Sequence, residues 1–146
     1  MADRNQAQIV AALPVTVRLP WPNPVLSPNS RAHRMHRARA TKQARWEAFL
    51  LCREAGVPQH EAAPRVRVTF HPPRRGYDAD NCISRLKAHL DGVADAIDVD
   101  DRHWDVSFHR GEPVKRGMVV VEIGPGSEAV ELTQGQPAAP GERRDA

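Results

Sequence analysis

Acidic residues are missing from most of the first third of this sequence: no aspartate or glutamate lies between Asp3 and Glu47. The cations of the same stretch are Arg4, Arg18, Arg31, Arg34, Arg37, Arg39, Lys42 and Arg45. Eight of the ten aspartates instead fall between Asp78 and Asp105, where there is no glutamate. The net charge of +3 therefore hides a segregation of charge, which predicts a polyanion-binding face and a separate acidic site.

Long hydrophobic runs and paired cysteines are also missing. No stretch of about 18 apolar residues occurs, so we expect no transmembrane helix. The apolar stretch of residues 9–13 is too short for a secretory signal, so we expect a cytoplasmic protein without a membrane partner. The two cysteines, Cys52 and Cys82, stand alone without CxxC spacing. They are interpreted as reduced thiols, and a structural zinc site is not predicted.

The pattern of apolar residues predicts one domain of mixed secondary structure. Alternating apolar residues predict four strands, at residues 15–19, 65–70, 104–110 and 118–123. Apolar residues at helical spacing predict two helices, at residues 37–55 and 81–97. The order β–α–β–α–β–β indicates an α+β fold, in which two main helices pack on a small mixed sheet. We interpret residues 1–13 as a flexible N-terminal arm, 14–124 as the folded domain and 125–146 as a disordered C-terminal tail.

The acidic residues form two pairs that could hold a metal ion. Asp78 and Asp80 precede the second predicted helix, and Asp100 and Asp101 follow about twenty residues later. Mg²⁺ prefers oxygen ligands and keeps some of its waters, so two or three carboxylates are enough to hold it. The alternatives are structural: Asp80 as a helix N-cap, Asp78 as a turn residue and the later pair in a solvated loop.

A polar row is predicted along one flank of the second helix. At 100° per residue, Asp80, Ser84, Lys87 and Asp91 lie within about 60° of each other. Lys87 could neutralise phosphate charge beside a metal, or it could be a surface lysine paired with Asp91. Asp91 lies about 16 Å along the helix from Asp80, too far to share an ion with it, and Asp95 is farther still.

Helix length constrains how the later pair can reach the earlier one. An unbroken helix from Asp80 to Ala96 would be about 24 Å long, whereas the five steps from Ala96 to Asp101 span at most ~17–18 Å. We therefore expect the helix to end or bend early, with Gly92 the best place, or to begin later than Asp80. Otherwise, Asp100 and Asp101 serve a site on a partner subunit.

In their order along the chain, these motifs resemble those of the RusA family of Holliday-junction resolvases, the crossover junction endodeoxyribonucleases of phages and prophages. The resemblance covers residues 15–123. The matching motifs are Pro28-Asn29-Ser30-Arg31, Arg74-Arg75-Gly76-Tyr77-Asp78-Ala79-Asp80-Asn81, Lys87-Ala88-His89-Leu90-Asp91-Gly92 and Val99-Asp100-Asp101. One position departs from the pattern: the family lysine follows the second aspartate by four residues, where this chain has Ser84. Lys87 lies three residues later and keeps the family spacing of four to Asp91.

The resemblance implies a RusA-like fold, a homodimer, and cleavage of Holliday junctions or other branched DNA in recombination and repair. It matches Asp78, Asp80 and Asp101 to the catalytic metal-binding aspartates and Asp100 to the adjacent family acid. Lys87 is the displaced candidate for the catalytic lysine. One or two Mg²⁺ ions are implied, with Mn²⁺ as a substitute. Because no Ser/His/Asp or Cys/His set is evident, water is the expected nucleophile.

Cationic side chains supply a predicted DNA-binding surface. They are Arg31, Arg34, Arg37, Arg39, Lys42, Arg74 and Arg75. Such residues neutralise phosphates without reading base sequence, although a solvated helix face is the alternative for the first five. For the protein as a whole, the alternatives are a non-catalytic DNA-binding protein, in which the aspartates are caps and loops, and a nuclease for flaps or forks.

Overall fold

A mixed four-stranded sheet and two main helices make up the fold, which a computed structural model describes for residues 14–59 and 64–125. The strands are β1 (Val15–Pro20), β2 (Arg65–His71), β3 (Asp105–Arg110) and β4 (Met118–Gly124). The helices are α1 (Arg34–Glu54) and α2 (Ala79–Ile97), and short 3-10 turns occupy Pro24–Leu26 and Asp101–His103. The predicted α+β class is confirmed. The expected arm at 1–13 lies outside the described residues, and so does the expected tail at 125–146 apart from its first residue.

The strand order in the sheet is β1-β4-β2-β3. β4 runs antiparallel to both β1 and β2, whereas β3 runs parallel to β2. Parallel neighbours need a crossover connection, which α2 provides between β2 and β3. The start of α2 therefore follows the carboxyl end of β2, and the loop after α2 leads into the amino end of β3.

The core lies between the sheet and the helices. Alternate residues of the two central strands are buried, and they are Val66, Val68, Phe70, Val119, Val121 and Ile123. From α2, Leu86, Val93 and Ile97 are fully buried against them. Truncating one such leucine to alanine typically costs about 2–5 kcal/mol, so the apolar stripe of α2 is a main source of stability. No helix of the described residues is both long and apolar enough to cross a membrane.

Small residues let the two helices approach closely. The buried residues of α1 are Ala40, Ala44, Ala48 and Cys52. Facing them, a Cβ added to Gly92 would overlap the carbonyl oxygen of Arg45 and lie 3.0 Å from the Cβ of Ala48. The expected bend at Gly92 is wrong, because α2 runs unbroken from Ala79 to Ile97 and this glycine serves helix packing instead.

Both helix starts differ from the predictions. α1 begins at Arg34, three residues earlier than predicted, because His33 Nδ1 accepts a hydrogen bond from the Met35 N–H at 3.1 Å and caps the helix. α2 has Asp78 as its N-cap, without a side-chain capping bond, and Asp80 lies in the first turn. The N-cap interpretation of Asp80 is therefore wrong, and so is the expectation that α2 begins later than Asp80.

Candidate functional site

A reversal of the chain after α2 brings the second aspartate pair back alongside the helix. Asp98 ends α2 in a left-handed conformation with φ of 64°, and its N–H donates to the carbonyl of Ala94 at 2.8 Å. Aspartate is one of the few non-glycine residues that tolerate this conformation. The indole N–H of buried Trp104 donates to the carbonyl of Val99 at 3.0 Å, which holds the returning loop. Asp101 consequently lies beside Lys87, ten positions before the last residue of α2.

The side chain of Lys87 pairs with two carboxylates. Its Nζ lies 3.2 Å from Asp91 Oδ1 and 3.6 Å from Asp101 Oδ2. The hydrogen bond to Asp91 is the larger cause of a raised pKa at Lys87, and Asp101 adds to it. The predicted pair with Asp91 is thus present, and the contact with Asp101 was not foreseen. Exposed pairs of this kind contribute only about 0.2–1 kcal/mol, so Lys87 can exchange a carboxylate for another anion at little cost.

An acidic cavity of about 440 Å³ lies beside this contact. Its lining comprises Arg45, Asp91, Ala94, Asp95, Asp98, Val99, Asp100 and Asp101. Arg45 neutralises one wall, since it donates two hydrogen bonds to Asp95, at 2.6 and 2.9 Å, which lower the pKa of that carboxyl. The sequence reasoning excluded Asp91 and Asp95 by their distance from Asp80. It missed that both would lie near Asp101, for which the only signal was the density of aspartates.

The two members of the later pair have different local roles. Asp100 caps the 3-10 turn by accepting the N–H of Arg102 at 3.0 Å, and this bond lowers the pKa of the Asp100 carboxyl. Asp101 lies within the turn, half-buried, with its carboxylate at Lys87. Of the two, Asp101 is therefore the carboxylate that extends toward the polar flank of α2.

The first aspartate pair lies at the opposite end of α2. Asp78 and Asp80 are both exposed. Their segment is held on two sides: Arg110 Nη2 donates to the carbonyl of Tyr77 at 2.8 Å, and Asn81 Oδ1 accepts the Ser27 hydroxyl at 3.2 Å. In the unbroken helix, Asp80 lies on the same flank as Lys87, about 10 Å away along the axis. One flank of α2 thus carries both aspartate pairs, one near each end of a polar row.

Carboxylate oxygens are the ligands that Mg²⁺ prefers, and the chain offers them as two separate pairs, Asp78 with Asp80 and Asp100 with Asp101. Within residues 14–59 and 64–125, no three histidine, cysteine or acidic side chains lie close enough together to hold a metal ion. Mg²⁺ is commonly bound through one or two carboxylates together with waters and substrate phosphates, so either pair fits its ligand preference. The structure brings Asp101 to Lys87 and Asp91, and it does not bring Asp101 into one cluster with Asp78 and Asp80.

Arg85 is a buried cation that the sequence reasoning did not single out. Only 7% of it is exposed, and no carboxylate of the described residues pairs with it within 4.0 Å. Its Nη2 donates to the carbonyl of Pro22, and its guanidinium lies 5.8 Å from the Trp21 ring and 6.0 Å from the Tyr77 ring. Aromatic faces and a carbonyl thus replace the ion pair that a buried charge normally needs. Arg85 thereby joins Trp21 and Pro22, which follow β1, to Tyr77, which precedes Asp78.

The predicted DNA-binding residues lie mainly at the surface of α1. Arg31, Arg34, Arg39 and Lys42 are exposed, and Arg37 is half-buried. Within the described ranges, none of these five pairs with a carboxylate within 4.0 Å. Arg74 lies over the Tyr77 ring at 5.8 Å, and Arg75 pairs with Glu112 at 3.8 Å. These five cations are thus available to an external anion.

Taken together, these elements define an α+β protein with a basic first helix and a second helix that carries two aspartate pairs. The chain is 41% identical over 116 residues to a protein of Xylella fastidiosa (strain Temecula1 / ATCC 700964) that is described as an uncharacterized protein. The match covers 74% of each chain. The chain belongs to the same family as this Xylella protein. No family model matches the chain.

Proposed function

We propose that this protein is a Mg²⁺-dependent endodeoxyribonuclease that cuts Holliday junctions or other branched DNA in recombination and repair. The contact of Asp101 with Lys87, on the flank of α2 that begins at Asp80, is the observation that carries the proposal. The order of motifs, which is similar to that of the RusA family, supports the same function. The proposal includes a cytoplasmic homodimer with one site per subunit.

Asp78, Asp80 and Asp101 are the proposed metal ligands, with Asp100 as the adjacent acid. Bound Mg²⁺ supplies an activated water and stabilisation of the leaving oxygen, with Mn²⁺ as a substitute. Along the unbroken α2, Asp80 lies about 10 Å from Lys87, where Asp101 is, so the two pairs of one chain cannot share an ion. The proposal therefore takes up the remaining expectation, that Asp100 and Asp101 serve a site on the partner subunit, which waters and substrate phosphates complete. Lys87 then exchanges a carboxylate for the phosphate and neutralises its charge.

The basic residues position the DNA in this proposal. Arg31, Arg34, Arg37, Arg39 and Lys42 bind backbone phosphates through charge, which is independent of base sequence. Arg74 and Arg75 precede Asp78 and Asp80 in the chain and bind phosphates next to the scissile one. Arg85 acts indirectly, because its bond to Pro22 and its contacts with Trp21 and Tyr77 hold the segment that carries Asp78.

Cleavage of a synthetic four-way junction, with Mg²⁺ or with EDTA, tests the proposal. We expect Asp80→Asn to abolish cleavage while junction binding survives, since the change removes a charged ligand from an exposed position. Asp105→Asn is the matched control, because Asp105 is also exposed and pairs with Arg65 at 3.6 Å on the sheet. Equal loss of binding and cleavage in the Asp80 variant would argue against a metal role.

A non-catalytic DNA-binding protein is the second candidate. It is favoured by the structural role of Asp100, which caps a turn, and by the separation of the two aspartate pairs within the described residues. Junction binding without metal-dependent nicking, by the wild-type chain, would select this candidate. Flap and fork substrates in the same assay distinguish a resolvase from a nuclease with another structural preference.

A further inference from the structure

Large apolar side chains lie exposed on α1, a few residues beyond Arg39 and Lys42. Trp46 is 59% exposed and Leu50 46%, and the Trp46 ring stacks on Phe49 with centroids 5.6 Å apart and an angle of 20° between the planes. We call Trp46, Phe49 and Leu50 the aromatic shelf. Phe49 is half-buried and packs against the core, and it supports the exposed ring of Trp46. Large aromatic side chains contribute most when they are covered, so an exposed tryptophan beside an exposed leucine on a well-formed helix marks a surface for a ligand.

Cations surround the aromatic shelf. The Arg53 guanidinium lies 5.3 Å from the centroid of the Phe49 ring, and Lys42 and Arg45 line an apolar cavity of about 310 Å³ together with the two aromatic rings. At 100° per residue, Arg39, Lys42 and Arg53 lie within about 40° of Trp46, whereas Glu47 lies about 100° away. Asp95 also lines the cavity, and its charge is neutralised by Arg45.

The aromatic shelf adjoins the acidic cavity. Arg45 and Asp95 line both cavities, so their ion pair forms the ridge between them. The acidic side of this ridge carries Asp91 and Asp101, and the other side carries Trp46 and Phe49. A single strand crossing the ridge would meet carboxylates on one side and aromatic faces on the other.

We propose that the aromatic shelf is a stacking site for an unpaired DNA base, with the adjoining phosphates bound by Arg39, Lys42 and Arg53. A cationic groove beside exposed aromatic rings is how proteins bind single strands, and the stacking tolerates any base because every base has a π-face. Placing this base in the strand that is cut rests on the proposed function, whereas the stacking itself does not.

The positive charges around the aromatic shelf favour DNA over a second copy of the chain as the ligand that covers it. In a two-fold contact the same surface patch is used by both subunits, so a patch that carries Arg39, Lys42 and Arg53 would face an identical, positively charged patch. Like charges brought together in an interface oppose association. A nucleic acid strand supplies the bases and the negative charge together.

Titration of the full-length protein with oligo-dT of about 12 nucleotides, in EDTA so that no cleavage occurs, tests the stacking. We expect quenching of tryptophan fluorescence, chiefly from Trp46, because Trp104 is buried and Trp21 is packed against Phe70 and Tyr77. A duplex of the same length should quench less, because its bases are already stacked. Equal quenching by both would overturn the assignment to an unpaired base.

Affinity for the labelled oligonucleotide, measured by fluorescence anisotropy, tests the role of the ring. Trp46→Leu keeps an apolar side chain without a π-face, and we expect the dissociation constant to rise roughly 5- to 140-fold. Trp46→Phe should retain most of the affinity. Phe108→Leu is the matched control, an exposed aromatic on β3, and should stay within about twofold of wild type.

Unchanged affinity in Trp46→Leu would overturn the proposal, and a changed sedimentation coefficient of the DNA-free variant would then identify the shelf as a protein interface. The binding result for Trp46→Leu can be distinguished from the result of the junction cleavage assay. Loss of oligo-dT binding in Trp46→Leu supports the stacking site even if the wild-type chain cuts no junction. Metal-dependent junction cleavage with oligo-dT binding unaffected by Trp46→Leu would sink the stacking site and leave the nuclease standing.

Discussion

His89 is a buried titratable group on α2, on the side away from the polar row. It is 3% exposed, and its Nδ1 has no hydrogen-bond partner among the described residues. Burial lowers the pKa of His89 from 6.5 to about 4, because the charged imidazolium would lose its hydration. The unfolded chain therefore takes up this proton at a higher pH than the folded chain does.

This difference predicts that the protein loses stability on mild acidification. Between pH 6.5 and about pH 4 the unfolded state binds the extra proton, so the free energy of unfolding falls as pH falls, by about 2 kcal/mol from pH 7 to about pH 5. His89→Phe should remove this dependence, and His36→Gln, at an exposed position, should keep it. Urea denaturation midpoints across this range provide the measurement. The same slope in His89→Phe as in wild type would contradict the prediction.

Two interpretations of Lys87 were open, a surface lysine paired with Asp91 and a cation for a phosphate, and the structure bears only on the first. Its i, i+4 pair with Asp91 follows from helical spacing, and the structure contains it. Its contact with Asp101 depends on the path of a loop, which spacing does not reveal. A lysine that already lies between two carboxylates keeps a positive charge at that point of the helix surface, whether or not a phosphate approaches.

At the level of elements, the contact between α1 and α2 is controlled by Gly92. A glycine-to-alanine change within a helix ordinarily stabilises it by about 1 kcal/mol. Here a Cβ would overlap the carbonyl oxygen of Arg45, which is backbone and cannot move away without displacing α1. The close approach explains why an intrinsically unfavourable residue lies in the middle of α2.

Gly92→Ala is therefore expected to destabilise the protein, by about 1–3 kcal/mol, as overpacking does in a close-packed core. Chemical denaturation gives the measurement, and the sign alone is diagnostic. A gain in stability would mean that the helices separate readily at this point and that the glycine has no packing role.

β2, β4 and α2 were predictable because each has a strong local pattern, whereas β3 is exposed along most of its length and α1 buries only three alanines and a cysteine. β2 and β4 alternate buried and less buried residues with few exceptions, and α2 repeats apolar residues at helical spacing. The start of α1 was missed because His33 caps it, and histidine is not among the residues usually found there. A local pattern thus identifies an element well and its ends less well.

The candidate site was only partly predictable because its assembly depends on tertiary contacts. The sequence identified the aspartate pairs and Lys87, which the unbroken helix and the returning loop set along one flank of α2. The return itself depends on the left-handed backbone of Asp98 and on the bond from Trp104 to Val99. Neither leaves a periodic signal, so the sequence left three possibilities open: an early end or bend of α2, a later start, or a site on a partner subunit.

At the scale of the whole molecule, charge is divided between the two helices. Apart from Arg45, the exposed cations on α1 have no carboxylate partner among the described residues, whereas the aspartates gather along α2 and the loop that follows it. Only Arg45, through Asp95, joins the two by a pair of hydrogen bonds. Such a division produces a field that attracts a polyanion to one face.

This field predicts how DNA binding responds to salt. Replacing Arg34 and Arg37 with alanine should weaken junction binding and reduce the slope of log affinity against log salt by about 2, if each contacts one phosphate. Arg65 and Arg67 replaced together are the matched control, because both pair with carboxylates on the sheet. Filter binding at several salt concentrations gives the slopes. An unchanged slope in the α1 variant would remove these arginines from the interface.

The three differing surfaces of α2 restrict how this helix can change length in evolution. Leu86 and Val93 face the core, Gly92 meets α1, and Lys87 and Asp91 belong to the polar row. Inserting one residue turns everything beyond it by about 100° and would exchange these surfaces, whereas three or four residues turn it by only about 40–60°. Insertions and deletions in α2 are therefore tolerated in whole turns, and each moves the polar row along the axis without rotating it off its flank.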